Sequence, residues 1–153
     1  MPTDRYISIW SPYVWFRMNK QGHWIRARGC VYNVYYHFVW STKYRRKVLI
    51  GSIAEDLHWL HELIAKQKGI TLINQEIMPD HVHLFVTAHP IFAPANIAKI
   101  FKGITAKKLF EKHPELRDQL WDGHLWNPSY YVGTCGDATK DVIERYVEMQ
   151  KVK

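Results

Sequence analysis

Cysteine is scarce: Cys30 and Cys135 are the two in 153 residues, and they make no C-x-x-C pair. A disulfide scaffold is therefore excluded, and a reducing, cytoplasmic setting is expected. No apolar run reaches the ~18 to 20 residues that a membrane span needs, so no membrane partner is expected. The opening stretch, MPTDRYISIWSPYVWFRMNKQGHW, is aromatic but interrupted by Asp4, Arg5, Pro12 and Arg17. It lacks the continuous apolar segment of a signal peptide. Neither a P-loop nor a G-x-G-x-x-G occurs, so no nucleotide cofactor is expected. Acidic residues are in short supply as well: 14 Asp and Glu face 21 Lys and Arg, a formal charge of +7. That surplus favours a polyanionic partner, nucleic acid ahead of a membrane surface, although many small basic proteins bind nothing acidic.

What is present reads as one globular domain. Hydrophobic residues make up 47% and aromatics 14%, far from a disordered composition. Residues 1–29 stand apart, rich in Trp, Tyr and Arg without a clean period. They read as a basic arm, a small extra hairpin, or translated sequence upstream of an internal start at Met18. Regular patterning begins at Cys30, and the domain is expected over 30–153. CVYNVYYHFVW, 30–40, is a β-rich run, and STKYRRKVLIG follows as a basic loop. The spacing of Ile53, Leu57, Leu60 and Ile64 predicts a helix over 52–68, with a Ser52/Glu55 capping box and Gly69 as its stop. Strands are expected over 70–77, 82–88 and 129–135. A second long helix is expected over 94–111, with Pro94 near its first turn and Ile97, Ile100, Phe101, Ile104 and Leu109 buried. A short helix over 114–120 and a last helix over 138–151, capped by Asp137, complete the list. The order β-α-β-β-α-β-α is the α+β ferredoxin-like (RRM-like) split β-α-β plan, an antiparallel sheet with helices on one face, plus one added C-terminal helix.

The stretch MPDHVHLFV, 78–86, carries the first chemical signal. Period-two alternation puts His81, His83 and Phe85 on one face of a strand, and Val82, Leu84 and Val86 on the other. The two histidine Cα atoms are then about 6.5 to 7 Å apart, close enough for both imidazoles to lean onto one metal ion. Two half-exposed histidines without a ligand are the alternative. His58 and His61 sit i, i+3 on the first helix, where apolar neighbours favour a surface or packing role. His37, in the aromatic strand, reads as a core or edge residue.

The second signal is DVIERYVEMQ, in which Val142, Tyr146 and Gln150 fall along one helix face. A tyrosine phenolate can attack phosphorus and hold a covalent phosphodiester. A glutamine amide oxygen one turn away can complete the shell of a hard cation. The alternative is a helix that merely packs its tyrosine on the sheet.

Five segments, in order, carry a wider resemblance: YHFVWSTKYRRKVL (36–49), MPDHVHLFV (78–86), IFKGITAKKLF (100–110), LWNPSYYVGTCG (125–136) and VIERYVEMQ (142–150). They resemble the small single-tyrosine HUH transposases of the IS-two-hundred-like insertion-sequence family, over about residues 30–150. The resemblance implies that His81 and His83 are the HUH metal ligands, Tyr146 the catalytic tyrosine and Gln150 the third ligand. It implies a homodimer whose tyrosine helix can be lent to the partner subunit's site. It also implies binding of single-stranded DNA hairpins, with cleavage and rejoining at element ends through a 5′-phosphotyrosine. Mg²⁺ or Mn²⁺ is the expected ion. Lys43, Arg45, Arg46 and Lys47, with Lys99, Lys102, Lys107 and Lys108, become candidate DNA contacts, aided by Tyr and Trp stacking on unpaired bases. A domesticated relative acting on chromosomal hairpin repeats, and a non-catalytic single-strand DNA-binding derivative, are the alternatives. The family pattern starts near residue 30 and commonly continues past the position of Lys153, so both ends depart from it.

Overall fold

The computed structural model describes residues 25–120 and 122–134. The predicted helix over 138–151, its cap Asp137, Tyr146 and Gln150 lie outside the described residues, as do residues 1–24.

Strands β1 (Ile25–Ala27) and β2 (Cys30–Tyr32) form a separate antiparallel hairpin that closes on Gly29, whose φ of 83° suits glycine. The run expected as a single strand over 30–40 is therefore two, since the chain leaves the hairpin at Asn33 and joins the main sheet as β3 (Tyr35–Ser41). Apolar composition marked both pieces as strand but did not say that they belong to different sheets. Cys30 Sγ lies 3.2 Å from His89 Nε2, and Tyr32 meets the same ring edge-on, which ties the hairpin to the loop after β5.

The main sheet has the antiparallel order β4 (Thr71–Ile77), β5 (His81–Thr87), β3, β6 (Tyr131–Thr134). Helix α1 (Gly51–Lys68) links β3 to β4, while α2 (Pro94–Lys112) and the short α3 (Leu116–Gln119) link β5 to β6. This is the expected ferredoxin-like split β-α-β arrangement. In the two central strands Ser41 pairs with His81 and Tyr35 with Thr87. That register places Phe38 and Trp40 beside Val82, Leu84 and Val86, all buried under residues of α1 and α2. The opposite face of the same strands carries Tyr35, His37, His81, His83 and Phe85.

Local signals were partly correct. Gly69 ends α1 in the left-handed conformation (φ 69°), and Pro94 opens α2. The Ser52/Glu55 capping box does not form: the cap is Ile50, without a side-chain hydrogen bond, and the helix already includes Gly51. On both helices a polar residue takes a place in the buried stripe. Leu60, Ile100 and Ile104 are only partly buried, whereas His61 and Thr105 are wholly buried. Thr105 Oγ1 donates to Phe101 O (2.6 Å) and accepts from Trp126 Nε1 (3.0 Å). His58, by contrast, faces solvent and lies 3.5 Å from Glu62.

His61 Nδ1 donates to Gln75 Oε1 at 2.8 Å, and its buried Nε2 has no partner among the described residues. Burial lowers this histidine to about 4. The unfolded chain takes up a proton near the ordinary value of 6.5, which the folded chain accepts only near 4, so acid favours unfolding. Stability should fall by about 2–3 kcal/mol from this group as pH drops through that interval. Urea denaturation between pH 7 and 4 should show a shallower acid limb in His61→Leu than in the wild type. Identical limbs would exclude His61 as a source of the loss.

Candidate metal centre

Strand β5 begins at His81, and alternation sends His81 and His83 to the sheet face that the helices leave open. Between and after them Val82, Leu84 and Val86, each 0% exposed, anchor the strand. The two imidazole centres are 5.1 Å apart, with their planes at 71°. That separation is near what two imidazoles on one ion require when each nitrogen lies ~2.0–2.1 Å from it.

Each ring is held through Nδ1. His81 Nδ1 donates to Asp80 Oδ1 at 2.6 Å. The other Asp80 oxygen accepts from Arg45 Nε at 3.3 Å and Nη2 at 3.2 Å. The His81 hydrogen bond, followed by the Arg45 charge, holds the Asp80 carboxyl below its ordinary value. Asp80 O accepts from the Thr42 backbone N at 2.9 Å. Arg45 reaches this position from a tight turn in which Tyr44 (φ 56°) and Arg45 (φ 51°) both occupy the left-handed region. Such conformations cost ~1–2 kcal/mol per residue. The turn is closed by Thr42 Oγ1 donating to Arg46 O (2.7 Å) and by Lys43 N donating to Leu125 O (2.8 Å).

His83 Nδ1 lies 3.0 Å from His37 Nε2. His37 is 5% exposed, and burial, with the charge of His83 next, lowers it to about 4. His83 is lowered in the same direction by burial and then by His81. Assigned from sequence to core or edge, His37 is thus a third histidine of the open face. Period two in β3 marks its side of the strand, but only the β3–β5 register brings it diagonally beside His83.

Among the described residues neither Nε2 of the histidine pair has a hydrogen-bond partner. The pair therefore fits as two nitrogen ligands of a divalent ion. No group of three His, Cys, Asp or Glu among the described residues completes a metal shell. Beside the pair runs an open groove of about 450 Å³, bordered by Arg45, Ser129, Tyr130 and Tyr131. Tyr131 meets His37 edge-on at 6.1 Å, and its ring leans over Gly133, where a Cβ would come within 2.6 Å of the phenol oxygen.

The basic residues do not form one patch. Lys43, Arg45, Arg46 and Lys47 lie in the turn beside the histidines, with Arg46 and Lys47 exposed. The other four lie on α2, in the helical layer. There Lys108, nine residues after Lys99, points about half a turn away from it. Lys102 is turned inward: its Nζ donates to the carbonyls of Asn127 (2.7 Å), Pro128 (3.2 Å) and Ser129 (3.3 Å) and sits 5.9 Å from the Tyr130 ring centre. It clamps the segment that delivers Tyr130 and Tyr131, a role that the lysine spacing alone did not reveal.

Fold and site together define an α+β protein with a pair of imidazoles on the open face of an antiparallel sheet. The chain belongs to the IS200-like transposase family, whose model, described as "Transposase IS200 like", matches residues 30–150. It is 42% identical over 128 residues to the ISDra2 transposase TnpA of Deinococcus radiodurans, covering 84% of this chain and 91% of that one. It is 25% identical over 124 residues to the transposase for insertion sequence element IS200 of Salmonella typhimurium, covering 79% and 82%. A crystal structure from Deinococcus radiodurans R1, described as that of a transposase, superposes with a TM-score of 0.68 at 41% identity, covering 82% of this chain and 96% of that one.

Lys102→Met, which keeps the stem and removes the ammonium, should cost about 1–2 kcal/mol in urea denaturation and speed amide exchange around 127–130. Unchanged stability and exchange would show that the clamp is dispensable.

Proposed function

We propose that this protein is an insertion-sequence transposase that binds hairpins in single-stranded DNA and cuts and rejoins strands through a 5′-phosphotyrosine on Tyr146. The observation that carries this reading is the pair His81 and His83, both fixed through Nδ1 on the open face of a family fold. His81, His83 and Gln150 would hold a divalent ion, Mg²⁺ or Mn²⁺. When bound, that ion offsets charge on the phosphoryl oxygens and orients the scissile phosphate.

The chain's own groups supply the rest. The Tyr146 oxygen attacks phosphorus in line, one P–O bond forms, and the bond to the 3′ oxygen breaks, releasing a free 3′-OH. Rejoining reverses the exchange with the same or another 3′-OH, and no nucleotide is consumed because one phosphodiester replaces another. Arg45, at the edge of the groove, with exposed Arg46 and Lys47 following it in the chain, favours a strand passing beside the histidines. Exposed Tyr130 and Tyr131 offer faces for unpaired bases. We further propose a homodimer in which the helix bearing Tyr146 and Gln150 can serve the partner's histidines.

Single-stranded oligonucleotides from the ends of the protein's own genomic locus provide the test, with Mg²⁺ or Mn²⁺ and a denaturing gel. Wild type should form a denaturant-stable protein–DNA adduct. Tyr146→Phe should form none, and His81→Ala or His83→Ala should lose about a hundredfold or more. Absence of an adduct with authentic ends would sink the active-enzyme reading, and an adduct with Tyr146→Phe would sink the nucleophile.

A further inference from the structure

We propose that His37 sets the tautomer of His83: it accepts the Nδ1–H of His83, so that Nε2 of His83 is left as a lone pair for a metal ion. The proposal rests on the reading of His81 and His83 as metal ligands and assigns that site a positioning residue.

The geometry of the contact is specific. The His37 and His83 ring planes differ by only 14°, and their centres are 5.2 Å apart. With nitrogens 3.0 Å apart, that separation is almost the largest two imidazoles can have. The line between the nitrogens therefore runs nearly through both ring centres. The rings lie end to end in one plane, joined along the lone-pair direction, and are not stacked face to face.

One proton occupies that contact, and it has two places to sit. If His37 Nε2 carried it, His83 would be protonated on Nε2 and could not ligate through that nitrogen. If His83 Nδ1 carries it, Nε2 of His83 presents a lone pair. The second arrangement makes His83 match His81, whose Nδ1 faces the acceptor-only carboxylate of Asp80. Both rings then offer the same atom. A ligating histidine commonly donates its other ring N–H to a fixed acceptor in this way.

The choice of acceptor also has an electrostatic sense. The charge of Asp80 beside His81 is balanced by Arg45. His83 already has Glu76 as its cross-strand neighbour on β4, so a further carboxylate as its Nδ1 acceptor would add to the negative charge where a phosphate must approach. A neutral imidazole orients His83 without that penalty. The backbone around His37 holds it in place, because β3 is a central strand in which His37 pairs with Phe85 on one side and Gly133 on the other. Its neighbour Phe38, 0% exposed, locks the strand from the helical side.

The test uses the full chain, wild type, His37→Phe and His37→Gln. Phe keeps a ring without an acceptor, whereas Gln restores an acceptor at similar reach. Two-bond ¹H–¹⁵N correlation spectra of the metal-free protein report which nitrogen of His83 is protonated, and Mn²⁺ titration reports affinity. Wild type and His37→Gln should show His83 protonated on Nδ1. His37→Phe should shift His83 toward the Nε2–H form and weaken Mn²⁺ binding by about 10- to 100-fold. His37→Gln should recover most of that loss, which lost packing alone would not produce. A wild-type His83 protonated on Nε2 would overturn the proposal, and that measurement stands even if His37→Phe fails to fold. Unchanged tautomer and affinity in His37→Phe would overturn it equally. Failure of the metal reading looks different: Mn²⁺ would then leave the His81 and His83 signals unbroadened in the wild type, whatever the tautomer.

Discussion

The pairing of β3 with β5 supports both halves of the molecule. These two central strands place Phe38 and Trp40 beside Val82, Leu84 and Val86 on the helical side. The same register puts His37, His81 and His83 together on the other side. A slip of one residue in either strand would exchange its faces, burying imidazoles under α1 and α2 and exposing the aliphatic row. Core burial thus enforces the position of the histidines. The hydrophobic term is the larger one, and the arrangement of the site follows from it.

Charge is arranged with similar economy around the pair. Asp80 is the anchor of His81, and Arg45 offsets its charge from a turn held in two left-handed conformations. The neutral His37 serves His83. In this way both rings are oriented: Arg45 offsets the charge of Asp80, and the acceptor of His83 adds no charge to that of Glu76, its cross-strand neighbour. Lys102 lies in the helical layer, yet it reaches the segment before β6 and binds three successive carbonyls there. The border of the groove is therefore set from the far side of the sheet, through the chain that crosses its edge.

Much of this was legible from local pattern. Period-two and helical spacing located the main elements, Gly69 and Pro94 marked helix ends, and MPDHVHLFV announced a two-faced strand. What escaped was of another kind. Ser52 and Glu55 satisfy a capping rule, but the helix starts one residue earlier and leaves them unused. His61 and Thr105 look polar in sequence and are buried, because Gln75 and Trp126, distant in the chain, supply their partners. His37 is separated from His83 by 46 positions, and no local rule encodes the register that joins them. Lys102 reads as a surface cation until the loop at 127–129 is seen to wrap it. Tyr146 and Gln150 were read from spacing and family likeness, and lie outside the described residues.

The alternation of β5 has a further consequence for how the chain tolerates change. At positions 82, 84 and 86 an exchange among aliphatic residues alters volume under the helices and leaves the donor atoms of the site where they are. At positions 81 and 83 an exchange alters the donor atoms and leaves the volume of the core untouched. Over 81–84 stability and chemistry are therefore written on alternate letters, and each can be revised while the other is kept; beyond them Phe85 and Thr87, on the histidine face, are buried as well.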